Sequence, residues 1–277
     1  MVSRRQTLGL ALAAGGTCLL DPKLVLAAEA RLIERAIPSS GEKIPVVGLG
    51  TSASFREVAG GGDTAALGEV LRAMVDKGAT VLDTAPSYGA AEEVSGKIAQ
   101  DLRLTAKIFW ATKVNVAKDG RAEPAAARAQ IEDSFRKLGV KKIDLLQVHN
   151  LRDVPTQLGI VHDLKKQKRV RYAGVTTTSP SQYGELESVM RNEPLDFIGI
   201  DYAVDNRDVE ATILPLAAER KIAVMVYVPF GRTSLFRRVG DRPVPEWASD
   251  FDATTWAQFF LKYVLGHPLY GDRKSVV

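Results

Sequence analysis

The sequence predicts an α/β protein folded as a (β/α)8 TIM-type barrel, on three observations. Strand-like and helix-like runs alternate from Ile44 onward, which argues a parallel sheet. About seven such strands in one chain favour a closed barrel over an open sheet. Successive strands also finish on chemically useful side chains, namely Asp83, Lys113 and His149, and a βα barrel builds its active site at the carboxyl ends of its strands.

Taken in order, Ile44 to Thr51 is expected as the first barrel strand. A helix follows over 65–77, where Leu67, Val70, Leu71, Met74 and Val75 recur at helical spacing and Gly78 stops the run. Further strands fall near 80–84, 107–113, 143–149, 171–177, 196–202 and 222–228. Helices alternate with them near 91–101, 124–138, 156–168, 180–191, 208–219 and 254–265. The chain has 277 residues, 45% hydrophobic and 25% charged, which suits one large globular domain.

A net charge of +4 is too weak a bias to argue for nucleic acid, and no basic run alternates with aromatics. Only His149, His162 and His267 are present, with no His-x-His or Cys cluster, so no metal site is predicted. Ser3-Arg4-Arg5-Gln6-Thr7-Leu8 precedes an apolar run to Gly16, and Ala28-Glu29-Ala30 offers a small-x-small cleavage site. That pattern predicts a signal peptide over residues 1–30, with an Arg-Arg pair resembling a twin-arginine export signal. The run is too short for a stable membrane anchor. The expected partner is therefore the export machinery and the expected location periplasmic or secreted. Cys18, the single cysteine, lies in this presequence, leaving the mature chain without a disulfide or thiolate site.

The chemistry concentrates in three segments. Thr80-Val81-Leu82-Asp83-Thr84-Ala85-Pro86-Ser87-Tyr88-Gly89 puts Asp83 at a strand end and Tyr88 five positions later. Ile108-Phe109-Trp110-Ala111-Thr112-Lys113 ends on a Lys, and Ile143-Asp144-Leu145-Leu146-Gln147-Val148-His149-Asn150 carries a His. A phenol is a poor acid at neutral pH. A neighbouring ammonium from Lys113 favours its phenolate, Asp83 would hold Lys113 in place, and His149 would orient a carbonyl. Each residue alone has a plain structural reading, as a loop aromatic, a capping carboxylate or a satisfied strand-end histidine.

Together, in this order, they resemble the catalytic tetrad of the aldo-keto reductase family, over a stretch from about Ile44 to about Pro268. The resemblance implies a nicotinamide-dependent reductase of small aldehydes or ketones, with Tyr88 as general acid and Asp83, Lys113 and His149 in support. It also implies that Arg31 to Lys43 forms a short hairpin across the barrel floor. Thr51 and Ser52 after Gly48-Leu49-Gly50 would lie beside the cofactor's ribose and pyrophosphate. Thr176 and Thr177, closing Gly174-Val175-Thr176-Thr177, would hold the carboxamide. In Val226-Tyr227-Val228-Pro229-Phe230-Gly231, Tyr227 would stack on the nicotinamide, with Phe230 beside it. Gly199 stands where the family usually places a Gln against the carboxamide, leaving room for a water or weakening cofactor orientation. Arg232, Arg237 and Arg238 are either phosphate contacts or solvated loop charges. Family habit favours NADP, with NAD open. Phe55, Trp110 and Trp247 are candidate pocket walls.

The family would continue after Pro268 with an eighth strand, a phosphate-binding loop and C-terminal helices. Here Leu269 to Val277 carries no such strand, and Asp272-Arg273-Lys274-Ser275-Val276-Val277 resembles one reading frame of a common sequencing adapter. The domain is therefore expected over 31–268, with 269–277 a non-native tail and the truncated form weakened or inactive. Two other classes stay open: a non-catalytic nicotinamide-binding sensor on the same barrel, and a lyase using Lys113 with His149.

Overall fold

The computed structural model describes residues 32–53, 55 and 64–267; the expected signal peptide and the expected tail lie outside them. A short antiparallel hairpin comes first, β1 (Glu34–Ala36) with β2 (Lys43–Pro45). Seven parallel strands follow in sequence order: β3 (Leu49–Gly50), β4 (Val81–Asp83), β5 (Phe109–Val114), β6 (Ile143–Val148), β7 (Val170–Thr177), β8 (Phe197–Asp201) and β9 (Ala223–Tyr227). Among the described residues no strand joins β9 to β3.

The helices are α1 (Thr64–Asp76), α2 (Ala91–Asp101), α3 (Pro124–Leu138), α4 (Val154–Lys166), α5 (Tyr183–Asn192), α6 (Ile213–Arg220), α7 (Ser234–Val239) and α8 (Trp256–Leu265). Local chemistry sets several ends. The chain leaves α1 through Gly78 at φ +89°, a left-handed conformation that glycine adopts without penalty. Pro124 opens α3, where its missing N–H costs nothing. Thr255 and Gln258 form a reciprocal capping box on α8.

Two expectations change. The single strand expected over Ile44 to Thr51 is two. Ile44 and Pro45 pair antiparallel with Arg35 and Glu34 in the hairpin, and only Leu49–Gly50 enters the parallel sheet. The floor hairpin thus lies slightly later than Arg31 to Lys43, and one apolar run serves two elements. The helix α7 and the 3-10 turn at Glu246–Phe251 were not anticipated.

The strands face two cores. Ile37 and Ile44 from the hairpin plug the barrel floor against Val81, Phe109, Leu145, Tyr172, Phe197 and Met225. Phe109, Tyr172 and Phe197 fill the lower interior with ring centroids 5.6–6.4 Å apart. Alternate residues point outward to the helices, among them Leu82, Trp110, Leu146 and Ile198. The rings pack the inside beside β5, β7 and β8, while a cavity opens at the strands' carboxyl ends, which positions the site. No described helix is long and apolar enough to cross a membrane.

The outer layer is tight where α2 meets α3. A Cβ on Gly96 would sit 2.1 Å from the Lys137 carbonyl oxygen and 2.8 Å from Leu138 Cα. Gly96→Ala should therefore cost roughly 1–3 kcal/mol and lower Tm by several degrees. Gly68→Ala on α1, where the nearest atom is Ile98 Cγ2 at 3.7 Å, should raise Tm through helix propensity. Thermal melts of the two variants check this contrast.

Candidate active site

The site begins with a buried ion pair. Asp83 ends β4 and Lys113 lies near the end of β5; Lys113 Nζ donates to Asp83 Oδ2 at 2.7 Å and to the Thr84 carbonyl at 2.9 Å. The Lys113 side chain is 1% exposed. Such a pair is held by its own geometry, since removing one partner strands the other charge in a poor solvent. Burial pushes the Asp83 carboxyl up and the Lys113 ammonium opposes it. Thr51 anchors this strand end, giving both its backbone N–H (3.0 Å) and its hydroxyl (3.1 Å) to the Asp83 carbonyl.

Tyr88 hangs from the loop between β4 and α2. Lys113 Nζ lies 5.1 Å from its ring centroid. The sequence reading expects the ammonium to lower the phenol's pKa. In the structure burial is the larger effect and Lys113 only partly offsets it, so the phenol is held above its ordinary value. Tyr88 is thus a stored proton beside a cation. His149 packs edge-on against Tyr88, with centroids 5.9 Å apart. Its pKa is lowered from 6.5 to about 4, first by burial and then by Lys113 and Arg152, so the imidazole is neutral at physiological pH. His149 opens a 3-10 turn immediately after β6, and Ser87 Oγ lies 3.4 Å from its Nδ1. With Ser87 as donor, Nε2 carries the ring proton.

These four side chains face one cavity of about 780 Å³, also lined by Ser52, Asn150, Thr176, Tyr227, Phe230 and Arg232. Ser52, Thr176, Tyr227 and Phe230 therefore line this cavity. Thr51 and Thr177 do not. Thr51 is fully buried and spent on Asp83, and Thr177 points to the helix side, donating to Gln182 Oε1 at 2.6 Å. Strand alternation decides this: Thr176 and Thr178 line the cavity and Thr177 between them cannot.

The three candidate walls fail for related reasons. Trp110 faces outward, its Nε1 donating to the Thr105 carbonyl. Phe55 is buried in the outer core. Trp247 is 58% exposed and packs on Phe251 and Phe259. Of the loop arginines, Arg232 reaches the cavity rim and donates to Thr178 Oγ1 at 3.3 Å; Arg237 and Arg238 bond Thr233 and Asp205 instead.

Sequence reasoning missed Ser87, Asn150, Gln147 and Gln182. Asn150 N–H donates to Thr176 Oγ1 at 3.2 Å, and Gln182 clamps the Asn150 carbonyl at 3.1 Å. Adjacency to His149 was the one available signal for Asn150 and Gln147. The cavity fits a nicotinamide dinucleotide's reactive end: it is large, reaches from the strand ends down to Val81 and Met225, and is lined by amide and hydroxyl groups at Asn150 and Thr176 and by the Arg232 cation.

Residues 46–264 match the model of the aldo/keto reductase family. The chain belongs to that family. Aldo-keto reductase YhdN of Bacillus subtilis is 31% identical over 202 residues, covering 69% of this chain and 60% of that protein. A probable aldo-keto reductase of Glycine max is 30% identical over 174 residues, covering 59% of this chain and 49% of that protein. The chain thus spans about half to three fifths of these curated relatives. A glycerol dehydrogenase from Gluconobacter oxydans superposes with a TM-score of 0.70 at 25% identity, over 88% of this chain and 85% of that one. An aldo-keto reductase from Klebsiella pneumoniae in complex with NADPH gives 0.71 at 23% identity, over 88% and 84%. These likenesses establish the barrel as the family's fold.

The depressed His149 value has a measurable sign. Unfolded, His149 takes its proton near 6.5; folded, near 4. Between those values the unfolded chain binds more protons, so stability falls as pH drops through that window. His149→Gln should flatten that part of a Tm-against-pH curve. Lys113→Met should move the His149 midpoint upward in a ¹⁵N NMR titration, though still below 6.5, because burial is the larger cause.

Proposed function

We propose that this chain is an NADPH-dependent reductase of small aldehydes or ketones, with Tyr88 as the general acid. The observation that carries the reading is the buried Asp83–Lys113 pair set against Tyr88, with neutral His149 at its edge, all facing one cavity. NADPH is preferred over NADH on the Arg232 cation at the rim and on the NADPH-bound Klebsiella pneumoniae relative. When bound, the nicotinamide supplies hydride to the carbonyl carbon.

The chain's own residues do the rest. Asn150 and Thr176 offer amide and hydroxyl groups to a carboxamide, Tyr227 and Phe230 offer ring surface, and Ser52 and Arg232 offer groups for phosphate. His149 Nε2–H points a hydrogen bond at the substrate oxygen and, being uncharged, does not compete as an acid. The Tyr88 phenol gives its proton to the developing alkoxide. Its raised resting value keeps that proton in place until negative charge forms beside it. The Lys113 ammonium stabilises the phenolate left behind, and Asp83 keeps that ammonium in position. We also propose export of the folded protein through the segment carrying Arg4 and Arg5; changing both to Lys should leave precursor inside the cell, as fractionation would show.

Tyr88→Phe keeps the ring and removes the proton donor. Turnover of every carbonyl the parent reduces should fall by about 10²–10⁴-fold or more, with NADPH affinity by fluorescence titration nearly unchanged. Unchanged turnover would remove Tyr88 as the general acid, and a parent that binds NADPH but reduces no carbonyl would favour the nicotinamide-binding sensor.

A further inference from the structure

Tyr227 does more than line the cavity. It ends β9, and its side chain turns inward over the barrel axis. Its hydroxyl donates to Asp83 Oδ1 at 3.2 Å and accepts from Gln147 Nε2 at 3.0 Å. Gln147 is fully buried and in register with Lys113 on the adjacent strand. Lys113 Nζ lies 5.2 Å from the Tyr227 ring centroid. The two oxygens of Asp83 are therefore divided between two donors, Oδ2 to Lys113 and Oδ1 to Tyr227.

This arrangement explains Gly199. A Cβ at 199 would lie 2.3 Å from Tyr227 Cε2, 2.9 Å from Cζ and 3.0 Å from Thr176 Cγ2. The space expected for a water, or left loose, is occupied by the Tyr227 ring. Any larger residue at 199 would push the ring off Asp83.

We infer that Tyr227 is a positioning residue for the Asp83–Lys113 pair, and that Gly199 is the gap that admits its ring. The inference deepens the reductase reading and rests on it for its catalytic consequence. A buried carboxylate is unstable unless its lone pairs are satisfied. Tyr227 satisfies the oxygen that Lys113 does not reach. Donation from Gln147 to the phenol oxygen makes that phenol a better donor in turn. Asp83 then stays ionised and fixed, Lys113 stays beside Tyr88, and the proton donor keeps its supporting charge. Tyr227 acts through Asp83, not on the substrate.

The test is Tyr227→Phe in the full chain, which keeps the ring and removes the hydroxyl. The Asp83 titration is followed by carboxyl ¹³C NMR on aspartate-labelled protein, assigned by its loss in Asp83→Asn, and the pH profile of kcat is measured alongside. Asp83 should titrate at higher pH than in the parent. The acid limb of kcat should move the same way, and kcat should fall roughly tenfold, the effect of losing one hydrogen bond to a charged group. Gly199→Ala should reproduce the Asp83 shift with the tyrosine still present. An Asp83 midpoint unmoved in both variants would overturn the inference, leaving Tyr227 as ring surface alone. If no carbonyl is reduced by the parent, the reductase reading fails while the NMR midpoint still decides the positioning role.

Discussion

The site depends on an ion pair that the barrel holds out of water. Separated from solvent and from each other, Asp83 and Lys113 would each carry a desolvation cost of several kcal/mol. Their 2.7 Å contact offsets it only because the remaining valences are filled. The Thr84 carbonyl accepts from Lys113, and Tyr227 donates to Asp83. Thr51 ties the loop after β3 to the end of β4, fixing the backbone that carries Asp83. The interior below is packed by Phe109, Tyr172 and Phe197. The electrostatics that raise Tyr88 and depress His149 follow from the same enclosure, since burial is the leading cause of both.

Strand alternation explains which parts of this were legible in the sequence. Asp83, Lys113 and His149 mark strand ends, and a barrel brings strand ends together whatever the intervening helices do. Their meeting followed from order alone. Residues whose role depends on which face they occupy were harder. Trp110 and Lys113 share β5 three positions apart and so face opposite ways, so an aromatic close in sequence to the buried lysine is not thereby a pocket wall. Thr177 beside Thr176 repeats the lesson. Ile44 to Thr51 shows the complementary limit: one apolar run contains both a hairpin strand and a barrel strand, and hydrophobicity does not record the change of partner between Pro45 and Leu49.

Gly199 was visible in the sequence as a departure from the family pattern, but its meaning lay on another strand. Position 199 faces Tyr227 across β8 and β9, where the absence of a side chain leaves room for an inward ring. A fit of this kind is non-local and carries no signature within either segment. Gln147 belongs to the same case. Two residues before His149, it reads as an ordinary polar strand residue until its amide is seen bonded to Tyr227.

The most direct test of a reductase organised around the buried pair is isotope transfer. The full chain is incubated with NADPH carrying deuterium at both C4 positions of the nicotinamide and with a panel of short aldehydes and ketones, and alcohol products are read by mass spectrometry. Deuterium should appear in the product alcohol with the parent chain and be strongly reduced with Asp83→Asn, while NADPH still binds both. Equal incorporation in parent and Asp83→Asn, or none with a parent that binds NADPH, would contradict it.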